Sequence, residues 1–165
     1  MAQRAVAVSG TERAATEFLS SLTAEQRART TFDFDDVERE TWHYTPVTRN
    51  GLPRRDMDQV QAEASERLMA TFLSQTGLHK ARAIMGHEAI LGRAEAGEGT
   101  LRFDRDTGLY FFSFFGAPDS DEPWGWQVDG HHLSLNFTLR DGLESCTPSF
   151  FGANPAEVLS GPQRG

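Results

Sequence analysis

Near Gly97-Glu98-Gly99 the hydrophobic period of the chain changes from helical to strand-like, and that one switch excludes most architectures. Before it, apolar residues recur at helical spacing. Ala15, Phe18, Leu19 and Leu22 share a face and predict a helix from Thr11 to Leu22. Thr23 with Gln26 three residues on has the capping-box form, so a second short helix is expected to restart there. Asp56-Met57-Asp58-Gln59 opens a long helix whose buried face is read as Val60, Ala64, Leu68 and Phe72, with Gly77 as its C-terminal stop. A further helix follows, carrying Ala81, Ile84, Met85, Glu88 and Leu91 on one stripe.

After the switch, Thr100–Asp104, Leu109–Phe115, Trp124–Asp129, His131–Leu139 and Glu144–Thr147 read as strands. Earlier in the chain, Thr41 to Thr45 alternates β-formers and reads as one more. The joints between the late strands are short, including Gly130 alone and Asp141-Gly142. Parallel neighbours need a crossover of about a dozen residues, so these strands should pair antiparallel. Helices first and strands later is the segregated order of an α+β fold, with the N-terminal helices packed on one face of a mostly antiparallel sheet. Residues 1–10 are expected to be a flexible N-terminus and 11–165 a single α+β domain. The 12 Phe and 3 Trp supply the bulk of its core.

Charge narrows the partners. With 24 acidic against 16 basic residues the net charge is −8, and only Arg54-Arg55 cluster, which argues against a nucleic-acid binder. The single cysteine, Cys146, excludes an internal disulfide and a cysteine-based zinc site, and reads as a buried inert thiol. The first ten residues lack an apolar signal core, and no apolar run is long enough to span a bilayer. As written, the chain is expected in the cytoplasm.

The most site-like segment is Gly130-His131-His132-Leu133-Ser134-Leu135-Asn136-Phe137. Read as a continuous strand, it puts His131, Leu133, Leu135 and Phe137 on one face and His132, Ser134, Asn136 and Thr138 on the other. The two histidines then point apart, and the pair is not two ligands of one metal. His131 is expected as a hydrogen-bonded core histidine, and His132, Ser134 and Asn136 as a polar face open to water or a ligand. Ser134 and His132 lie about 6.6 Å apart along a strand, too far for a nucleophile and its base. Glu88 falls on a buried stripe, where a carboxylate must be paired or carry a raised pKa; a stripe-edge residue reaching solvent or a structural ion pair with an arginine is the bland alternative. His87 is one residue off that stripe and should be exposed. Arg102, Asp104, Arg105 and Asp106 alternate in sign around a turn and should be solvated. Trp124 and Trp126 share a face with Val128, where core packing competes with a stacking platform for ligand.

Five separated segments carry a family resemblance. They are Trp42-His43-Tyr44-Thr45-Pro46 with Arg49 and Gly51; Arg105-Asp106 with Tyr110 and Phe115-Gly116; Pro123-Trp124-Gly125-Trp126; the Gly130–Phe137 segment; and Thr147 to Ala156. Together they resemble a bacterial family known as a domain of unknown function, number 3500, from Phe18 to the last residue. The resemblance implies no activity. Relatives continue past the Gly-Pro segment into a further helical stretch, whereas this chain stops at Gly165, so it is either a natural short form or a truncated reading. Relatives typically carry an apolar residue where His87 stands, which weakens any role for it. Some relatives carry export signals, and this chain shows none.

Two functions from different classes are therefore expected. One is an acid/base or metal-assisted enzyme acting on a small molecule in a polar cleft over His132, Ser134 and Asn136. There His132 would serve as base or as ligand to a divalent metal, with Glu88 or Asp106 contributing a carboxylate and Arg105, Trp126 and Asn154 contacting substrate. The other is a non-catalytic module that uses the same face to bind a small molecule or peptide.

Overall fold

A computed structural model of the chain describes residues 10–159 and 164–165. The flexible N-terminus expected from the sequence lies, up to residue 9, outside the described residues. Among the latter are four α-helices and six strands: α1 (Gly10–Ser21), α2 (Ala24–Thr30), β1 (Thr31–Phe32), β2 (Leu52–Pro53), α3 (Gln59–Phe72), α4 (Gln75–Glu98), β3 (Tyr110–Phe115), β4 (Trp124–Gly130), β5 (Leu133–Arg140) and β6 (Leu143–Phe151). The fold is α+β, helices first and sheet second. No helix is long and apolar enough to cross a membrane among the described residues.

The sheet runs in the order β1-β3-β4-β5-β6, with β2 also on β3. Strands β3 to β6 form consecutive antiparallel pairs, β2 is antiparallel to β3, and β1 alone is parallel to it. The register Phe112↔Val128, Phe114↔Trp126 and Trp126↔Phe137 brings Phe112, Phe114, Trp126, Val128, Leu135 and Phe137 onto one face. That face packs against Phe18 and Leu19 of α1, Leu68 and Met69 of α3, and Ala81, Ile84 and Met85 of α4 in a single apolar cluster. Trp126 is its centre, stacked on Phe137 with ring centroids 4.2 Å apart and flanked by Phe72, Phe112 and Phe114.

Capping sets the helix starts. Thr23 and Gln26 form the expected capping box, and so do Asp58 and Gln61 at the start of α3. The stripe of α4 is buried as Ala81, Ile84, Met85, Glu88 and Leu91. Three expectations for the helices fail. Gly77 does not end α3: that helix stops at Phe72, and Ser74 caps α4 by accepting from the Gly77 amide at 3.1 Å. Val60 is 63% exposed, because the buried face of α3 runs through Gln61, Ala64, Ser65, Leu68 and Met69. His87 is half-buried rather than exposed.

Two expected strands are absent. Thr41–Thr45 is irregular, and so is Thr100–Asp104. The first belongs to a segment laid over the second face of the sheet. That face carries Ser113, Gln127, Asp129, Ser134 and Asn136, all buried. Arg49 holds the segment down. Its guanidinium pairs with Asp129, and donates to the carbonyls of His43 at 2.6 Å, Thr45 at 2.8 Å and Val47 at 2.7 Å. The loop's carbonyls are satisfied by one side chain instead of a ladder, so alternation in Thr41–Thr45 never becomes a strand. The polar face expected to meet water or ligand is instead covered.

Candidate functional site

The site lies at the end of the sheet where β4 turns into β5. Gly130 pairs with Leu133, so His131 and His132 are the two residues of a hairpin turn and not the start of a strand. His132 takes a left-handed φ of 59°, unusual for a residue with a side chain. Strand alternation does not pass through a turn. The rings of His131 and His132 consequently lie side by side, 4.3 Å between centroids, and do not point to opposite faces.

His131 turns inward. Its Nδ1 contacts Glu88 Oε1, and Arg105 Nη1 lies 3.4 Å from Glu88 Oε2 and 3.3 Å from the same Nδ1. A carboxylate oxygen accepts, so the close contact with Glu88 Oε1 makes Nδ1–H the donor there, and the guanidinium is a partner of the same carboxylate and not of the imidazole. That arrangement fixes the tautomer and leaves Nε2 as the basic nitrogen. All three side chains are buried, at 5% exposure for Glu88, 7% for Arg105 and 8% for His131. Arg105 is completed by Glu95, with Nε–Oε2 2.9 Å and Nη2–Oε1 2.7 Å, a two-pronged contact that lowers the Glu95 pKa and raises that of Arg105. Arg105 was expected in solvent. It is buried because α4 offers it Glu88 and Glu95, with Gly92 between them on the same face. A Cβ at Gly92 would sit 2.9 Å from Arg105 Cβ, so only glycine lets the chain pass that close.

Tyr110 ties this network to the sheet. Its hydroxyl lies 3.0 Å from the His131 carbonyl and 3.4 Å from that of Ile84 in α4. Burial, reinforced by the charge of Glu88, pushes its phenol well above the ordinary value, so it stays a donor. Its ring occupies the space a side chain at Gly130 would need, since a Cβ there would lie 2.3 Å from Tyr110 Cδ1.

In front of the network is a cavity of about 440 Å³, to which both Glu88 and His131 contribute. Arg29, Arg49, Arg55 and Arg102 line it together with Pro53, Phe103 and Phe111. A larger open cleft of about 800 Å³ lies at the other end of the strands, beside Trp124, Leu139 and the β5–β6 turn. Its charged residues are mostly acidic, and no buried titratable pair like Glu88–His131 lines it, so the smaller cavity is the chemically equipped one.

Of the residues singled out from the sequence, the fold brings Glu88 and Arg105 together. His132 stands outside the cavity, its ring among those of Tyr44, Phe150 and His131. Burial, with His131 adding to it, lowers its pKa. Asp106 is half-exposed and accepts from the Gly108 amide at 2.7 Å, shaping the turn before β3. Ser134 and Asn136 are buried beneath the 41–51 segment and β6, where Asn136 donates to Ser134 Oγ at 3.3 Å and to the Pro148 carbonyl at 3.2 Å. Trp126 is in the core and 1% exposed. Asn154 is exposed in the segment after β6. Four participants were given no site role from the sequence: Glu95, Tyr110, and the Arg49–Asp129 pair, although Arg49 and Tyr110 stand in the segments that carry the family resemblance. For Glu95 a signal existed, since Glu88, Gly92 and Glu95 at i, i+4 and i+7 place a slot between two carboxylates.

Among the described residues, no group of three or more His, Cys, Asp or Glu side chains is placed to hold a metal ion. At the Glu88–His131 pair the Arg105 cation already occupies the electrostatic position a metal would take.

The chain matches the family described as "Protein of unknown function (DUF3500)" over residues 4–165, essentially its whole length. It belongs to the DUF3500 family. No curated protein and no solved structure matches it. For this DUF3500 chain, function therefore rests on the geometry of the corner itself.

Proposed function

We propose that the chain is an acid–base enzyme that acts on a small molecule held in the 440 Å³ cavity, with His131 as the proton-transfer group and Glu88 as its orienting partner. The observation that carries this reading is the buried contact between His131 Nδ1 and Glu88 Oε1 at residues that both line the cavity. A histidine held this way presents Nε2 as base in a defined orientation, and the imidazolium formed on proton uptake is stabilised by the carboxylate behind it. Arg105, anchored by Glu95, holds the Glu88 carboxylate in place. General acid–base catalysis of this kind contributes about 10²- to 10⁴-fold to rate.

A second reading has its own support. Glu88, Arg105 and Glu95 satisfy one another, as they would in a purely structural ion network, and the cavity would then belong to a non-catalytic binding module. Deuterium exchange separates the two. Incubating the protein in D2O with a panel of small carbonyl compounds, carboxylic acids and esters, and following substrate signals by proton NMR, reports both proton abstraction and hydrolysis. The expected result is exchange or conversion of at least one class, reduced at least about 100-fold in His131→Gln. Conversion that persists in His131→Gln, or none in the native chain across the panel, would remove the enzyme reading.

A further inference from the structure

The cavity in front of His131 combines two kinds of lining. Pro46, Val47, Pro53, Phe103, Leu109 and Phe111 are apolar. Against them stand four arginines and only three carboxylates, Asp56, Glu88 and Asp104, in a chain whose net charge is −8. Most of the arginines are already engaged. Arg49 is spent on Asp129 and three loop carbonyls. Arg29 pairs with Asp56 at 3.3 Å, and Arg55 with Asp104 at 2.7 Å. Arg102 is exposed and has no carboxylate partner among the described residues.

From this lining we infer that the cavity takes a small monoanionic carboxylate with an apolar body, its head group paired with Arg102. A guanidinium recognises a carboxylate through two parallel hydrogen bonds. The apolar residues would bury the remainder of the ligand, and about 440 Å³ falls within the range of small-molecule sites, about 300–1,000 Å³. A dianionic phosphate fits less well, because the three carboxylates of the lining repel a second negative charge and a compact inorganic anion leaves the apolar surface wet. A neutral alcohol of the same shape would leave Arg102 without its partner. The inference rests on the acid–base reading only in placing the ligand's reactive carbon beside His131; binding itself does not need it.

Isothermal titration of the full chain with hexanoate, phenylacetate, 1-hexanol and inorganic phosphate tests the inference. Hexanoate and phenylacetate should bind at least tenfold more tightly than hexanol or phosphate. Arg102→Gln, at an exposed position where folding is not at stake, should weaken hexanoate at least tenfold. Arg140→Gln, at the far end of the strands, should leave it unchanged. Equal affinity for hexanol or phosphate, an Arg102→Gln variant that binds hexanoate like the native chain, or no carboxylate binding at all overturns the inference. Hexanoate binding without any deuterium exchange supports it while removing the enzyme reading.

Discussion

Replacing Glu88 by Gln keeps the volume of the side chain and removes only its charge, which isolates the electrostatic content of the corner. Glutamine Oε1 can still accept from His131 Nδ1–H, so no donor is stranded there. The loss is the difference between a charge-assisted and a neutral hydrogen bond, about 1–1.5 kcal/mol. The amide nitrogen now faces Arg105 Nη1, formerly 3.4 Å from Oε2, and that weak contact becomes mildly repulsive. Arg105 is not abandoned, because Glu95 holds it through two bonds of 2.7 and 2.9 Å. The full cost of about 3–5 kcal/mol for breaking a buried ion pair therefore does not apply, and a destabilisation of about 2 kcal/mol is expected. For a chain of 165 residues that corresponds to a fall in Tm of about 4–8 °C. Urea unfolding of native, Glu88→Gln, His131→Asn and the double variant closes a thermodynamic cycle, and the coupling between the two sites should be about 1–2 kcal/mol. Glu17→Gln, an exposed glutamate on α1, provides the control and should change stability by under about 0.5 kcal/mol. A Glu88→Gln cost no larger than that control, with zero coupling to His131, would refute the reasoning.

Three further outcomes follow from the same structure. Arg49→Met should destabilise by about 3–5 kcal/mol, since it strands Asp129, whose carboxyl burial already pushes up against the opposing pull of Arg49; hydrogen exchange should also show residues 41–51 opening first. Because the folded pKa of His132 is depressed, its contribution to stability is present above the unfolded value of about 6.5 and is lost as pH falls through the folded value. His132→Asn, which tolerates the left-handed turn, should flatten the pH dependence of unfolding below about pH 6.5, and an unchanged profile would count against the burial of that ring. Gly130→Ala would drive a Cβ to 2.3 Å from the Tyr110 ring, so it should displace Tyr110 and cost several kcal/mol, on the order of 3, by thermal unfolding.

How far the sequence reaches into this molecule depends on whether local pattern decides the outcome. The α4 stripe is legible in full, Glu88 included, because a helix repeats one geometry for 24 residues. The capping boxes at Thr23 and Asp58 are legible because each closes within three residues. The antiparallel β3–β6 core follows from short joints. Legibility ends where a distant partner decides. Thr41–Thr45 has strand alternation, but Arg49 binds its carbonyls and Asp129 anchors Arg49 from 80 residues away. Ser134 and Asn136 were correctly placed on the face opposite the core, yet the 41–51 segment that buries them cannot be read from their own neighbourhood. His131 and His132 show the limit most sharply. Alternation assigned them opposite faces, and one residue pair of register, Gly130↔Leu133, turns them into a hairpin loop where alternation has no meaning. His131 did prove buried and hydrogen-bonded as expected, but it is also the histidine that lines the cavity.

The orientation of His131 is the claim on which the corner depends, and nitrogen-15 NMR of the imidazole reads it directly. Long-range proton–nitrogen correlation spectra of the neutral ring, assigned by comparison with His131→Gln, distinguish the two tautomers. A protonated Nδ1 with a strongly downfield-shifted proton and a bare Nε2 are expected, the proton signal moving upfield in Glu88→Gln as the charge-assisted bond becomes a neutral one. A ring protonated at Nε2 with an unprotonated Nδ1 would contradict this, because Glu88 would then have no hydrogen to accept from His131.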